Sequence, residues 1–304
     1  MSYLKKYEYV IAVSDCGGIS QAAERLNISQ PTFSKYLKKI ETELGIELFD
    51  RSTLPIKLTK AGECYVEAGR RFIDMDRQLT KQLDEIKTNV NSVIRIGISP
   101  SRSPYMMPDI ISLYKEKVPD GRVVIEERTT SELNKRLTLG ELDLIISILD
   151  NETEIFDRIE LFDESIMLAV PKMKYNVNSS AKEILTTSTV INVGKGQVMW
   201  QILNEIIDDM GICKPEIECQ SIESALALVK KGIGVMIVPS YIAREYNNHS
   251  SSEVSFLSLN DISKNSILWS YKRKICLFFR KEQFLTKSEK TFMECVKEIN
   301  KIDN

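Results

Sequence analysis

A short run near the N-terminus carries side chains that can read and hold a nucleic acid duplex. Residues 29–38 place Gln, Thr, Ser and Lys on one face of a helix, opposite an apolar stripe. Glutamine can bond adenine through two hydrogen bonds, serine and threonine serve several base edges, and lysine meets guanine or phosphate. The candidate DNA contacts on this helix are Ser29, Gln30, Pro31, Thr32, Ser34, Lys35 and Lys38.

Two helices separated by a short turn are predicted to position these side chains. Ser20 is a candidate N-cap for the first helix, and residues 27–29 interrupt its apolar period. Ser29 can cap the second helix, and Pro31 falls in its first turn, where a missing N–H costs nothing. The inward stripe of this second helix consists of Phe33, Leu37, Ile40 and Leu44.

A β-hairpin is predicted directly after the second helix. Ile56 and Leu58 alternate with Lys57, and Pro55 lies near the turn. Cations at the edges of such a hairpin, or wing, can hold phosphate groups without reading sequence. The candidates are Arg51, Lys57 and Thr59.

The spacing of these residues resembles the LysR-type transcriptional regulators. The matching segments are 22–26 (AAERL), 29–31 (SQP), Ser34, Glu41, 44–45 (LG), 48–49 (LF), Arg51 and 58–62 (LTKAG). The wing departs from the family pattern, since Leu54-Pro55 stands where relatives often carry a basic residue. The resemblance implies double-stranded DNA and RNA polymerase as partners, a homodimer or homotetramer, and no cofactor.

A long helix is predicted to follow the hairpin. Apolar residues recur from Tyr65 to Val90 at steps of three and four, with charged residues between them. An apolar stripe this narrow does not stabilise a lone helix in water, so the helix is expected to pack against a partner. The resemblance implies that this linker helix pairs antiparallel with a second copy and sets two recognition helices on one face of DNA.

The remaining residues alternate between strands and helices, which is typical of an α/β fold with buried parallel strands. The complete prediction is a multidomain α+β and α/β protein: a winged helix-turn-helix domain over 1–62, a linker over 63–91 and an effector-binding domain over 92–304. The resemblance implies two lobes like those of periplasmic binding proteins. Lobe 1 would comprise about 92–163 and 270–304, and lobe 2 about 164–269, with crossings near 162–168 and 265–272.

Hydroxyl side chains follow two predicted strands and precede two predicted helices. Ser99, Ser101 and Ser103 precede one helix, and Thr129, Thr130 and Ser131 precede another. Free N–H groups and helix dipoles there favour an anion, so a small carboxylate is the predicted ligand, with Arg102 as a candidate ion-pair partner. Serine and threonine also serve simply as N-caps, which is the alternative reading. The resemblance adds Ser147, Lys195, Gln197 and Val198 as effector-binding candidates.

Composition excludes several classes of protein. No stretch of ~18 uncharged apolar residues and no signal-like N-terminus occurs in the sequence, so a cytoplasmic location is expected. The net charge is −2, with nine Lys/Arg against seven Asp/Glu in residues 1–62. DNA binding would therefore depend on a few well-placed cations and on pairing of two chains.

The sequence also bears on four other functions. The six cysteines form no CxxC pair and accompany one histidine, so a metal site is not predicted. Cys213 and Cys219 leave redox sensing open as an alternative, and the C-terminal two-thirds alone would suit a solute-binding module. No catalytic motif appears, so an enzyme is not predicted.

Overall fold

The computed structural model describes residues 3–52, 55–87, 93–175, 179–194, 198–211, 215–248, 253–259, 273–281 and 283–301. The chain divides into two compact units, one of residues 1–90 with 136–142 and one of the remaining residues. The elements of the first unit are α1 (Tyr3–Cys16), α2 (Ile19–Arg25), α3 (Gln30–Leu44), β1 (Phe49–Asp50), β2 (Lys57–Leu58) and α4 (Lys60–Ile86).

The helix-turn-helix forms as predicted, with two corrections. Ser29 is the N-cap residue of α3, with Pro31 in its first turn, but the N-cap of α2 is Gly18 and not Ser20. Leu44 is 46% exposed because the helix ends there, at a left-handed Gly45. The buried core consists of Val10, Ala12, Val13, Ala22, Ala23, Phe33, Leu37, Ile40, Leu48, Phe49 and Val66.

Gly62 allows α4 to lie close to the backbone of Leu48, the residue before β1. A Cβ atom at this position would lie 2.0 Å from the carbonyl oxygen of Leu48. That oxygen also accepts the backbone N–H of Thr59 at 3.0 Å, so it cannot move freely.

Gly62→Ala is therefore expected to lower the free energy of unfolding of the N-terminal unit by about 1–3 kcal/mol, because backbone must shift to admit one methyl group. Urea denaturation followed by circular dichroism measures the change. Gly45→Ala is a partial control, since its Cβ meets nothing within 4 Å although its φ of 68° is itself strained. Equal stability of Gly62→Ala and the wild type would contradict the packing argument.

Helix α4 carries the predicted apolar seam on its surface. Thr59 caps the helix, with its hydroxyl accepting the N–H of Gly62 at 3.0 Å. Gly69 allows Tyr7 of α1 to pack closely, and the Tyr7 ring stacks on Phe72 at 5.4 Å between centroids. The seam residues beyond this point are 47–78% exposed, and they are Phe72, Met75, Leu79, Leu83 and Ile86.

The second unit begins with lobe 1, built on a five-stranded sheet of order β4-β3-β5-β12-β6. The β3 strand pairs parallel with β4 and β5, as predicted, whereas β12 pairs antiparallel with β5 and β6. Strand β6 was not foreseen. The elements are β3 (Val93–Ile98), α5 (Ser103–Lys117), β4 (Arg122–Glu127), α6 (Thr130–Thr138), β5 (Leu144–Ile148), β6 (Asp157–Glu164), β12 (Arg273–Phe279) and α11 (Lys287–Lys301).

Lobe 2 contains a three-stranded sheet of order β10-β7-β11 and a parallel pair β8-β9. Both neighbours of β7 run antiparallel to it. The elements are β7 (Ile166–Pro171), α7 (Ala181–Thr187), β8 (Ile191–Val193), α8 (Val198–Met210), β9 (Ile217–Cys219), α9 (Ile222–Lys230), β10 (Met236–Pro239), α10 (Ser240–Asn248) and β11 (Val254–Ser258).

The chain leaves lobe 1 at the end of β6 and enters lobe 2 at β7, within the predicted crossing at 162–168. It has returned to the lobe 1 sheet at Arg273, where β12 begins. The second predicted crossing, 265–272, lies outside the described residues. Each lobe buries its own apolar core, with Ile94, Ile96 and Ile146 in lobe 1 and Leu168, Leu203 and Ile206 in lobe 2.

Candidate functional site

Helix α3 presents the predicted polar row to solvent. Phe33, Leu37 and Ile40 are fully buried and fix the rotation of the helix about its axis. The opposite face is therefore exposed. Its exposed members are Ser29, Gln30, Pro31, Thr32, Lys35 and Lys38, and Ser34 is half-buried.

Hydrogen bonds within this row hold its side chains in place. The Ser29 hydroxyl donates to the Thr32 hydroxyl at 2.7 Å, and the Gln30 amide donates to the Ser34 hydroxyl at 3.2 Å. Exposed pairs of this kind exchange readily with other polar partners, because water and nucleic acid offer equivalent bonds. The face is thus organised for contact with base edges or phosphates.

Glu41 fastens the wing to α3, a role that sequence reasoning missed. Its Oε1 accepts the backbone N–H groups of Leu48 and Phe49 at 2.9 and 3.3 Å. Its Oε2 accepts from Arg51 at 2.6 Å. Arg51, a predicted phosphate contact, is thus already paired with a carboxylate, and its charge is partly offset.

The other two predicted wing contacts differ in character. Lys57 lies on β2 and is exposed, as a phosphate contact requires. The Thr59 hydroxyl is engaged within the protein, since it also donates to the Glu47 carbonyl at 2.8 Å. Thr59 is therefore a helix cap, which revises its predicted role. Leu54, at the predicted wing tip, lies outside the described residues.

A cavity of about 230 Å³ opens between the two lobes of the second unit. It lies at the carboxyl ends of β3, β4 and β5, where ligands of open α/β sheets bind. Six predicted effector contacts line it, and they are Ser99, Ser101, Arg102, Thr129, Thr130 and Val198.

Two other predicted contacts, Ser103 and Ser147, are not among the residues that line this cavity. Ser103 is buried in the first turn of α5, and Ser147 is buried within the sheet, where β5 pairs with β12. The Ser147 hydroxyl has no hydrogen-bond partner among the described residues. Lys195 and Gln197 fall outside the part of the chain that the structure describes.

Thr129 caps the start of α6, which is the alternative role that the sequence offered for it. Its hydroxyl donates to Glu132 at 2.8 Å, and the Thr129 N–H donates to the same carboxylate at 3.2 Å, which is a capping box at the start of α6. In the loop before α5, the Ser99 and Ser101 hydroxyls lie 3.2 Å apart, and both residues line the cavity.

Several lining residues were not predicted from the sequence. They come from the loop after β5, from α8, and from the starts and ends of other strands. They are Pro100, Arg128, Ile148, Asp150, Glu152, Met199, Gln201, Pro239 and Arg273. Only their positions after predicted strands could have signalled Arg128 and Asp150. Ser131, which was expected beside Thr129 and Thr130, also lines the cavity.

A buried charge cluster, the Arg102–Glu164–Arg273 triad, closes the inner side of the cavity. Arg102 donates to both oxygens of Glu164 at 3.1 and 3.0 Å, and Arg273 donates to the Glu164 Oε2. The side chains of Arg102, Glu164 and Arg273 are 6%, 0% and 13% exposed. Arg102, the predicted ion-pair partner of an anionic ligand, is thus already paired with Glu164 inside the protein.

The pKa values of the two guanidinium groups of the triad shift in opposite directions. Burial lowers the pKa of Arg273, and the neighbouring Arg102 adds to this effect against the attraction of Glu164. Burial also opposes the charge of Arg102, but attraction to Glu164 and Tyr241 and the hydrogen bonds to Glu164 together outweigh it and raise the pKa of Arg102. Both arginines thus share the single carboxylate of Glu164 as their counter-charge.

Lobe 2 contacts the triad and the loop before α5 through Tyr241 of α10. The Tyr241 hydroxyl donates to the Ser101 carbonyl at 2.6 Å, and the Arg102 guanidinium lies 5.7 Å from the ring centroid. Burial raises the pKa of the Tyr241 hydroxyl, which keeps it a donor. The cavity wall thus includes direct contacts between the lobes.

The described residues contain no group of three or more His, Cys, Asp or Glu that could hold a metal ion. Among those residues, no helix is long and apolar enough to cross a bilayer. Burial raises the pKa of the Cys276 thiol to about 11, which makes it a poor nucleophile. Cys219 is half-buried in β9, and Cys213 is outside the described residues.

Comparison with known proteins identifies similar sequences. A hydrogen peroxide-inducible genes activator of Haemophilus influenzae is 32% identical over 167 residues, which cover 55% of this chain and 56% of the relative. The chain thus aligns with about half the length of this relative. The uncharacterized HTH-type transcriptional regulator YcgK of Bacillus subtilis is 25% identical over 97% of this chain and 94% of its own.

Solved structures share the fold. A full-length OxyR variant from Pseudomonas aeruginosa has a TM-score of 0.66 at 22% identity, covering 98% of both chains. CbnR, described as a LysR family transcriptional regulator, has a TM-score of 0.61 at 20% identity, covering 98% of this chain and 99% of its own.

Two family descriptions match directly, and together they span nearly all of the sequence. Residues 4–63 match the bacterial regulatory helix-turn-helix proteins of the lysR family, and residues 87–300 match the LysR substrate binding domain. These matches agree with the winged helix-turn-helix and the two-lobe α/β unit described above. The chain belongs to the LysR family of bacterial helix-turn-helix regulatory proteins.

Proposed function

We propose that the protein is a sequence-specific DNA-binding transcriptional regulator. The observation that supports this proposal is the exposed polar row of α3. The row faces solvent because Phe33, Leu37 and Ile40, on the opposite side of the helix, are buried. Gln30 and the neighbouring hydroxyls read base edges, while Lys35, Lys38 and Lys57 hold phosphates. Full-length CbnR has been solved with its target DNA, and its fold is the same.

The phosphate contact of Lys57 gives a direct test. Lys57→Ala is expected to weaken binding to all duplexes alike and to reduce the slope of log affinity against log salt by about one, because one fewer counterion is released. Fluorescence anisotropy with a mixed-sequence duplex at several salt concentrations measures the slope.

Lys274→Ala is the matched control, since it removes an exposed cation that pairs with Glu160 on the lobe 1 sheet. Its salt slope should equal that of the wild type. Equal slopes for all three proteins would overturn the assignment of the wing to the DNA backbone.

The exposed seam of α4 supports assembly into a dimer. Five large apolar side chains along one helix face are more than half exposed on average, a pattern typical of interaction surfaces. Pairing of two copies would place two α3 helices on one DNA molecule, and affinity would then rise through the second contact. Further association to a tetramer and contact with RNA polymerase belong to the same proposal.

The interlobe cavity supports a small anionic effector, with a carboxylate as the favoured class. Ser99 and Ser101 line it, and so do Thr130 and Ser131 at the N-terminus of α6, the end of a helix that favours an anion. A ligand that binds one lobe arrangement better than another shifts the population toward that arrangement. A change in the lobe arrangement would then alter how the two α3 helices of the dimer are placed on DNA.

Redox sensing is a second candidate, favoured by the names of relatives such as the Haemophilus influenzae activator. Burial raises the pKa of both Cys276 and Cys295, so these thiols do not suit a sensor. Of the other four cysteines, Cys213 and Cys219 lie six residues apart in the sequence and form the candidate pair. Mass spectrometry after peroxide treatment of the full chain would show a Cys213–Cys219 disulfide if this function is correct, and two free thiols if it is not.

A further inference from the structure

The Arg102–Glu164–Arg273 triad carries one more positive charge than negative charge. Two guanidinium groups share one carboxylate, and all three side chains are largely withdrawn from water. The Nε atoms of both arginines are buried and have no hydrogen-bond partner among the described residues. An uncompensated charge at a buried site is costly, and a second anion would relieve that cost.

The surplus charge faces the cavity. Arg102 and Arg273 both line it, whereas Glu164 lies behind them and does not. A small anion that enters the cavity therefore meets guanidinium groups first. Arginine forks suit carboxylates because they offer two parallel N–H donors.

The other charged residues of the cavity lie nearer to solvent and already have partners. Asp150 accepts the N–H of Thr153 at 3.0 Å, and Glu152 accepts from the Asn134 amide at 3.3 Å. Arg128 is exposed and donates to the Glu127 carbonyl at 2.8 Å. Solvent screens these charges more strongly than it screens the triad.

We propose that Arg273, together with Arg102, anchors the anionic group of the cleft ligand, and that Glu164 is an internal competitor for the same two guanidinium groups. This proposal rests on the proposed function, in which the cleft takes a small anion. Arg273 is the more adaptable partner, because its side chain is 13% exposed against 6% for Arg102, and it donates to one oxygen of Glu164 where Arg102 donates to both.

The triad lies where the chain crosses between the two lobes, which links anion binding to the arrangement of the lobes. Glu164 is the last residue of β6, where the chain leaves lobe 1, and Arg273 is the first residue of β12, in the returning chain. Arg273 also contacts the Met199 sulfur of α8 in lobe 2, at 3.7 Å. An anion that draws Arg273 away from Glu164 therefore changes a contact at the root of both connecting segments.

The test compares acetate with acetamide, which has nearly the same shape and no charge. Thermal midpoints of the full-length protein are measured against the concentration of each probe at constant ionic strength. The wild type should be stabilised by acetate more than by acetamide. Arg273→Gln should lower the affinity for acetate by about tenfold or more, as expected for loss of charge-assisted hydrogen bonds, and should leave acetamide unaffected.

Two comparisons make the result specific. Arg128→Gln removes an equal charge from the same cavity and should change acetate affinity by less than about threefold, because an exposed charge is screened. Glu164→Gln removes the competitor and should strengthen acetate binding. Opposite directions for two neighbouring substitutions would not result from a general loss of packing.

The outcomes separate the two levels of the hypothesis. If Arg273→Gln binds acetate as well as the wild type, or if Arg128→Gln loses as much affinity, the anchor is refuted while an anion site in the cleft stands. If the wild type does not distinguish acetate from acetamide, the proposed anion site itself is refuted. Should Glu164→Gln fail to fold, Arg273→Gln still decides, because it leaves one arginine balanced by one carboxylate.

Discussion

Glu164→Gln is expected to lower the free energy of unfolding of the C-terminal unit by about 3–5 kcal/mol, since it leaves two buried guanidinium groups without a counter-charge. Glu164 is fully buried and accepts from both arginines. Amide replacement keeps the shape of the side chain and removes only its charge, so the loss reports electrostatics more than packing. Urea denaturation of the ligand-free protein measures it.

A matched control and a reciprocal variant sharpen this prediction. Glu160→Gln alters an exposed carboxylate on the same strand, paired with Lys274 at 2.7 Å, and should change stability little. Arg273→Gln should destabilise far less than Glu164→Gln, because it leaves a balanced pair. If Glu164→Gln proves as stable as Glu160→Gln, the triad does not hold the surplus charge described above.

Leu79→Glu is expected to disrupt assembly of the chain and to lower DNA affinity by about 100-fold. Leu79 lies in the middle of the exposed seam of α4 and is 54% exposed in the single chain. Pairing of two helices would bury it, and a carboxylate in its place would have to lose water without gaining a partner. Loss of the second DNA-binding domain then removes the gain from effective concentration, which reaches 10²–10⁴ in linked binders.

Analytical ultracentrifugation and anisotropy with a duplex provide the two readouts. Thr80→Glu is the control, because it introduces the same charge at an exposed position that lies about 100° around the helix from Leu79. It should remain assembled and bind DNA as the wild type does. A Leu79→Glu protein with unchanged sedimentation would contradict the role of the seam.

The N-terminal fold was predictable because its signals are local. The apolar spacing of Phe33, Leu37 and Ile40 and the cap at Ser29 lie within twelve consecutive residues, and all four have the expected positions. Leu44 shows the limit of periodicity. It continues the stripe, but Gly45 ends the helix and leaves it exposed.

The cavity was predictable only where its residues follow strands. Ser99, Ser101 and Thr129 could be placed there, since carboxyl ends of parallel strands share one edge of a sheet. Glu164 could not, because its partners lie 62 and 109 residues away in the sequence. The segment 157–164 also alternates charged and apolar residues without any sign that its last carboxylate is buried.

The same limit explains Glu41. Its carboxylate serves backbone N–H groups of Leu48 and Phe49, and a sequence gives no record of which backbone groups lack partners. In the sequence, Glu41 stands out only as one of the residues that match the LysR-type pattern. In the structure it is the group that fixes the wing relative to α3.

Selection of duplexes from a random pool tests the central claim, that α3 reads DNA sequence for the assembled protein. The wild type should enrich a two-fold-symmetric site whose half-sites are separated by a whole number of helical turns. Gln30→Ala should enrich the same spacing but lose preference at one position of each half-site, because a base-edge contact is gone. Enrichment of no sequence by the wild type, or of an identical site by Gln30→Ala, would contradict the account.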